Sequence, residues 1–187
     1  MPLAEKSAFK RTRADYHYFL TYRTRWSDND QYSHVNNAIY YHLIDSIVNT
    51  YLAEQCGCIP STSSSTSESE SANIAPIGLV VSSHCEFFAP ISFPDVVTLG
   101  LRVVKLGRSS VSYEVGFFTE SSSSKPPSEN EKNDVDGKAV QEVAKAVGGY
   151  THVFVDRIHR RPIKEMSPTL RNGLQAIIAE SSAKPKL

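Results

Sequence analysis

The chain has 187 residues, 40% hydrophobic and 21% charged, which is enough for one sizeable core and too little for two. Lys plus Arg number 20 and Asp plus Glu number 20, so no net positive field draws the chain to nucleic acid, and the basic residues are scattered rather than gathered on one face. No apolar run is long enough to span a bilayer, and the N-terminal stretch MPLAEKSAFKRTRADYHYFL lacks the apolar segment of a secretory signal, which together predict a soluble protein of the cytoplasm.

Residues 1–17 read as a flexible lead. They are basic but hold Glu5 and Asp15, which argues against a mitochondrial presequence and leaves that compartment as an alternative only. The first strand follows, with Leu20, Tyr22, Thr24 and Trp26 alternating against Thr21, Arg23 and Arg25 at the period of a half-covered β-strand. From Asn36 to about Cys56 the period changes. Ile39, Tyr40, Leu43, Ile44, Ile47, Val48, Tyr51 and Leu52 form one helical stripe, which Asn36 or Asn37 can cap at the start and Gly57 can close in a left-handed conformation.

The run STSSSTSESES from Ser61 to Ser71 cannot build a core and reads as a solvated loop. Four strands come next, over Leu79–Phe88, Val96–Val104, Val111–Phe118 and Val147–Val155, rich in β-branched and aromatic residues. Pro90, Pro94 and Gly107 punctuate them, and a second polar run, Ser121 to Lys138, precedes the last. The order of one strand, one long helix and four strands predicts an α+β domain over 18–165, with an antiparallel sheet of five or more strands curled round a central helix. A helix packed on one open sheet face has the same periodicity. Polar loops fall at 60–73 and 120–140, and the tail over 166–187 has room for a short helix. That tail closes on Pro185, Lys186 and Leu187, a degenerate form of the peroxisomal address, which makes the peroxisome a second alternative compartment.

Cys56, Cys58 and Cys85 have neither the spacing of a disulfide framework nor that of a zinc site, and no H-E-x-x-H pair occurs, so no metal is expected. Chemistry concentrates in RWSDNDQYSHVNNAIYY, from Arg25 to Tyr41, where the first strand gives way to the helix. Helix starts leave backbone N–H groups unpaired and carry the positive end of the dipole, so they can stabilise charge developing on a carbonyl oxygen. A nearby carboxylate, Asp30, can serve as general base or as nucleophile, with His34, Asn36 and Asn37 as donors. Residue by residue, the bland reading is the more common one: Asp28-Asn29-Asp30 as a turn, Asn36-Asn37 as a cap, His34 as a structural histidine.

The stretch DNDQYSHVNNAIYY resembles the D-x-D-x-x-G-H-V-N-N-x-x-Y signature of the 4-hydroxybenzoyl-CoA thioesterase-like branch of the hotdog superfamily. HCEFFAPISFPDVVTLGLRVVKLGRSSVSYEVGFF and HVFVDRIHRRP are similar to later strands of that branch, so the resemblance runs from Tyr18 to Pro162 outside the polar loops. It implies a hotdog fold and hydrolysis of an acyl-CoA thioester to a free acid and coenzyme A, with no cofactor beyond the coenzyme A of the substrate. The catalytic carboxylate then falls on Asp30, with Asp28 as a rival whose other role is to brace the turn, and His34 and Asn37 join it. Tyr32, Ser33 and Asn36 would line the substrate; Ser33 stands where the signature has glycine. Arg108, Ser109, Ser110, Arg157 and Arg160 would meet the phosphates, against a simpler reading as a solvated rim. Glu86 reads as facing solvent. The resemblance further implies a homodimer, or a tetramer built from two dimers, with sites shared between chains. Rival readings are a hydratase or dehydratase on the same fold and a non-catalytic acyl-CoA binding protein.

Overall fold

The computed structural model describes residues 11–58, 76–119 and 142–179; the serine-rich run Ser61–Ser71, the polar run Ser121–Lys138 and the tail Pro185–Leu187 lie outside them. Strands β1 (Tyr18–Arg23), β2 (Ile77–Phe87), β3 (Val96–Leu106), β4 (Ser110–Thr119) and β5 (Ala146–Val155) form one antiparallel sheet in the order β1-β3-β4-β5-β2. Helix α1 (Asn37–Cys56) lies along its concave face, and a short α2 (Pro168–Gln175) packs beside α1. This is the hotdog arrangement of a sheet wrapped on one long helix.

The apolar stripe of α1 explains the wrapping. Tyr40, Leu43, Ile44, Ile47, Val48, Tyr51, Leu52 and Cys56 are all buried, against Val97, Leu99, Leu101 and Val103 of β3 and Val111, Tyr113, Val115 and Phe117 of β4. Ile47 is fully buried, and truncating it to Ala would cost about 2–5 kcal/mol in lost transfer energy and cavity. Both ends of α1 are closed. The Asn36 side-chain Oδ1 accepts from the Ala38 N–H at 2.9 Å, and Gly57, at φ +67°, donates its N–H to the Leu52 carbonyl. At Gly149 a side chain would collide with the Tyr113 carbonyl of the neighbouring strand, so glycine there permits β4 and β5 to approach.

Three features differ from the sequence reading. Residues 11–17 are not a loose lead: Tyr16 is buried over Gly100 and Gly116, which face each other across β3 and β4 and leave a slot for its ring. Its hydroxyl donates to Glu114 at 3.0 Å, and Arg11 and Arg102 pair with the same carboxylate at 3.0 and 2.8 Å. Second, β1 stops at Arg23 because Trp26–Asp28 turn into a 3-10 helix; Trp26 is 78% exposed instead of continuing the inward face. Third, the core runs past residue 165, since Met166, Leu170, Leu174 and Ile177 join it.

Strand β2 has one neighbour, β5, and forms a sheet edge. Gly78, Val80, Ser83, Cys85 and Phe87 pair in register with helix-facing residues of β5 and so face the helix side, yet none of them is buried. Glu86 lies on the opposite face, in a small recess with Arg11, His84, Phe88, Glu114 and Val147. Helix α1 therefore packs over β3, β4 and β5, while the inner face of β2 beside it stays open as one wall of a groove.

Candidate active site

The 3-10 turn Trp26–Asp28 and the segment up to Asn36 carry the chain from β1 to α1. Asp28 holds this turn together. It is buried, its Oδ2 accepts from the Tyr22 hydroxyl and the Arg25 N–H, both at 2.7 Å, and its carbonyl accepts from Asn36 N–H at 2.8 Å. Arg25 lies 3.6 Å from its other oxygen. With both oxygens engaged, Asp28 braces the turn.

Asp30 is placed differently. Its Oδ1 accepts from the Tyr32 N–H at 2.8 Å and the His34 N–H at 3.2 Å, while Oδ2 has no hydrogen-bond partner among the described residues. The backbone closes the same loop, with the Asp30 N–H donating to the His34 carbonyl at 2.8 Å and the Ser33 N–H to the Asp30 carbonyl. One oxygen is thus fixed by two amides and the other is left available. Ser33 completes the loop at φ +62°, the left-handed region that glycine occupies without strain. Tyr32 and Ser33 are exposed at its tip.

Beyond the loop a cleft of about 310 Å³ is lined by His34, Val35, Asn37, Tyr40, Phe87, Phe88, Ala89 and Pro90. Val35 anchors its floor by donating its N–H to the Ile91 carbonyl at 2.8 Å, and Tyr40 and Phe87 form one wall, with ring centroids 4.9 Å apart. The N–H of Asn37, first residue of α1, finds no acceptor among the described residues, which leaves it free to bind an oxygen in the cleft. Asp30 does not line the cleft itself; it is tied to the lining through the His34 amide. Asn36 turns its side chain back as the helix cap.

Of the residues expected at the site, His34 and Asn37 share this cleft, with Asp30 beside it. The sequence profile of the thioesterase superfamily matches residues 32–124, which takes in this cleft. The crystal structure of the PA5185 protein from Pseudomonas aeruginosa is 38% identical and superposes with a TM-score of 0.71, covering 94% of this chain and 99% of that one. The chain belongs to the thioesterase superfamily. Among more distant solved structures, the Thermus thermophilus thioesterase complexed with coenzyme A and zinc is 21% identical, with a TM-score of 0.57, over 86% of this chain and 98% of that one. The Staphylococcus aureus protein SAV2348 in complex with CoA is 13% identical, with a TM-score of 0.61, over 84% of this chain and 80% of that one. These two share the fold. A search of curated proteins finds no match.

The residues expected to meet phosphate lie elsewhere in this superfamily member. Arg157 lines a second cavity, about 340 Å³, with Pro76, Asp156, Ile158, Ile163, Glu165, Met166 and Ser167. Ser109 joins that end of the sheet by accepting from the Phe154 N–H, and Arg108 by accepting from the Met166 N–H. Ser110 opens β4, and Arg160, at φ +56°, sits in the turn after β5 that Asp156 caps. Ile77 pairs with Val155 at this end of β2 and Phe87 with Ala146 at the other, so the cavity and the His34 cleft lie about 33 Å apart along the strand. One chain does not bring them together.

The sequence reading missed Ala89 and Pro90 of the cleft wall and a buried polar cluster deeper along α1. His152 is buried with its Nδ1 unpartnered, and burial lowers its pKa to about 4. A histidine alternating with Tyr150 and Phe154 on an apolar strand was the available signal.

Proposed function

We propose that the protein is an acyl-CoA thioesterase, hydrolysing a thioester to a free acid and coenzyme A. The observation that carries this reading is the half-open Asp30 carboxylate, pinned through Oδ1 by two amides, beside the free N–H of Asn37 at the start of α1. Membership of the thioesterase superfamily and the CoA held by the Thermus and Staphylococcus proteins support the substrate class.

In this reading the thioester carbonyl enters the His34 cleft and its oxygen takes the Asn37 N–H, with the helix dipole favouring the negative charge of the tetrahedral intermediate. Asp30, through its free Oδ2, deprotonates a water that attacks the carbonyl carbon, or attacks it directly to give a mixed anhydride that water then opens. His34, exposed at the rim, donates to the leaving thiolate or to the carbonyl. Water is the only co-reactant.

The separation of the cleft from the arginine-bearing cavity supports a dimer. An antiparallel pairing of β2 with the β2 of a second copy would satisfy the unpaired edge and set Phe87 of one chain against Ile77 of the other. The cavity lined by Pro76 and Arg157 would then approach the cleft of the opposite chain, giving Arg157, Arg160 and Arg108 a route to the phosphates of a bound CoA. A dimer of such dimers is compatible with this pairing.

Thiol release from short, long and aromatic acyl-CoAs, measured for wild type and Asp30→Asn together, tests the reading. Release that falls about 10²–10⁴-fold in the variant supports it; release unaffected by the substitution removes Asp30 from the mechanism, and no release by folded wild type removes the thioesterase.

A further inference from the structure

The groove between α1 and β2 begins at the His34 cleft and does not stay apolar. Its helix side carries Asn37, Tyr41, Asp45 and Asn49, spaced four apart on one face and all exposed. Its other wall is the inner face of β2, passing from Phe87 through Cys85 and Ser83 to Val80 and Gly78. The floor is β5, where Gly148 lies opposite Cys85, Tyr150 opposite Ser83 and His152 opposite Val80. At Gly148 a side chain would strike Ile44 and Cys85, whose side chains pack over the floor there.

Midway along, the floor becomes polar. The Tyr150 hydroxyl reaches across to Asp45 Oδ1 at 3.5 Å, and the Asn49 amide donates to the same oxygen at 2.9 Å. Asp45 Oδ2 has no partner among the described residues. His152 stacks on Tyr150, ring centroids 4.6 Å apart, and its orphaned Nδ1 points at the bare Cα of Gly78 on the edge strand. Behind both rings the Tyr113 hydroxyl is also buried without a partner. A purely apolar acyl chain laid along this floor would cover Asp45 Oδ2 and give it no donor, at the cost of its lost hydration.

We infer that this groove selects an acyl group bearing a hydrogen-bonding substituent, such as a hydroxyl, far from the thioester, received by Asp45 and Tyr150. The inference rests on the thioesterase reading and names the substrate class for that same site. Eight residues of helix separate Asn37 from Asp45, about 12 Å at 1.5 Å per residue. A single ring attached directly to the carbonyl is too short to bridge that span; a medium-length chain hydroxylated at its far end fits. The substituent donates to the free oxygen of Asp45 and accepts from the Tyr150 hydroxyl, which exchanges its long 3.5 Å bond to Asp45 Oδ1 for the new one. The preference is an expression of what the site loses when a designed-for hydroxyl is missing, a larger discrimination than one extra methylene can give.

The test uses octanoyl-, decanoyl- and dodecanoyl-CoA, each paired with its terminally hydroxylated counterpart, on the full chain. The expected result is a kcat/KM about tenfold higher for the hydroxylated member at one or more lengths. Tyr150→Phe and Asp45→Asn each bring the pair to within about twofold through loss on the hydroxylated member. Both substitutions keep shape, and thermal unfolding of each variant checks that the fold is intact. Calorimetric titration of Asp30→Asn with the same pairs reads the preference as affinity, so it stands apart from whether thiol is released. Equal turnover and equal affinity within every pair, or a preference that survives both substitutions, would overturn the inference.

Discussion

Asp28 and Asp30 stand two residues apart on one turn, and the fold treats them oppositely. Asp28 is buried with both oxygens engaged by Tyr22 and Arg25, and its carbonyl fixes the start of α1 through Asn36. Asp30 is partly open, with one oxygen held by backbone amides and the other free. A saturated carboxylate can only hold shape, whereas a half-saturated one keeps its position and still has a lone pair to offer. The same contrast separates His152, enclosed by aromatic rings, from His34, exposed at the cleft rim.

The comparison breaks first at Asp30. Asp30→Asn keeps an Oδ1 acceptor for the Tyr32 and His34 amides, so unfolding should shift little while thiol release drops by about 10²–10⁴. Equal loss of stability and activity would place Asp30 with Asp28.

Acid should act on the buried member of the histidine pair. Burial holds the folded-state pKa of His152 at about 4, below its ordinary value of 6.5, and nearby Asp45 opposes this only in part. The unfolded chain therefore binds a proton that the folded chain does not, and stability falls as pH drops from about 6.5 and levels off below about 4. The expected loss is about 3 kcal/mol, read from denaturant unfolding at several pH values. His152→Phe should flatten that slope; an unchanged slope would assign it to other groups.

Asp28→Ala should cost about 2 kcal/mol in unfolding free energy, because the Tyr22 hydroxyl and the Arg25 amide lose their shared buried acceptor. Folded protein at low temperature should keep most of its turnover, in contrast to Asp30→Asn. The smallest effect is at Ser33. Its φ of +62° is strained for any residue with a Cβ, so Ser33→Gly should raise stability by about 1 kcal/mol, visible as a higher Tm. A fall in Tm would mean that the serine side chain compensates for its backbone.

What could be read from the sequence followed local period and chemistry. The stripe from Tyr40 to Leu52 and the caps Asn36 and Gly57 are self-contained signals, and each strand segment carries its own β-branched pattern. The resemblance of DNDQYSHVNNAIYY then pointed to Asp30, His34 and Asn37, of which two line the cleft and the third is tied to it. Contacts between distant segments were not legible. Nothing local shows that Gly100 and Gly116 will face each other and seat Tyr16, or that Leu170 and Leu174 will close the core. Trp26 continued the alternation on paper, but Asp28 capturing the Arg25 amide turns the chain before the strand can reach it. The arginines failed as a single-chain site for the same reason: basic residues show charge in sequence, and distance only in the fold.

The strand order also has a kinetic side. Tyr18 pairs with Leu101 and Ile77 with Val155, so both outer strands find their partners across more than a third of the chain, while β3 and β4 meet through a short turn. Closing such long loops costs entropy before any contact is gained. The β3–β4 hairpin with α1 on its face is the assembly that can form early, and β1 and β2 are the strands that must wait. The strand that completes the groove is thus among the last to be ordered on the ribosome's product, and until then its Val and Phe side chains stay open to any other unpaired edge in a crowded solution.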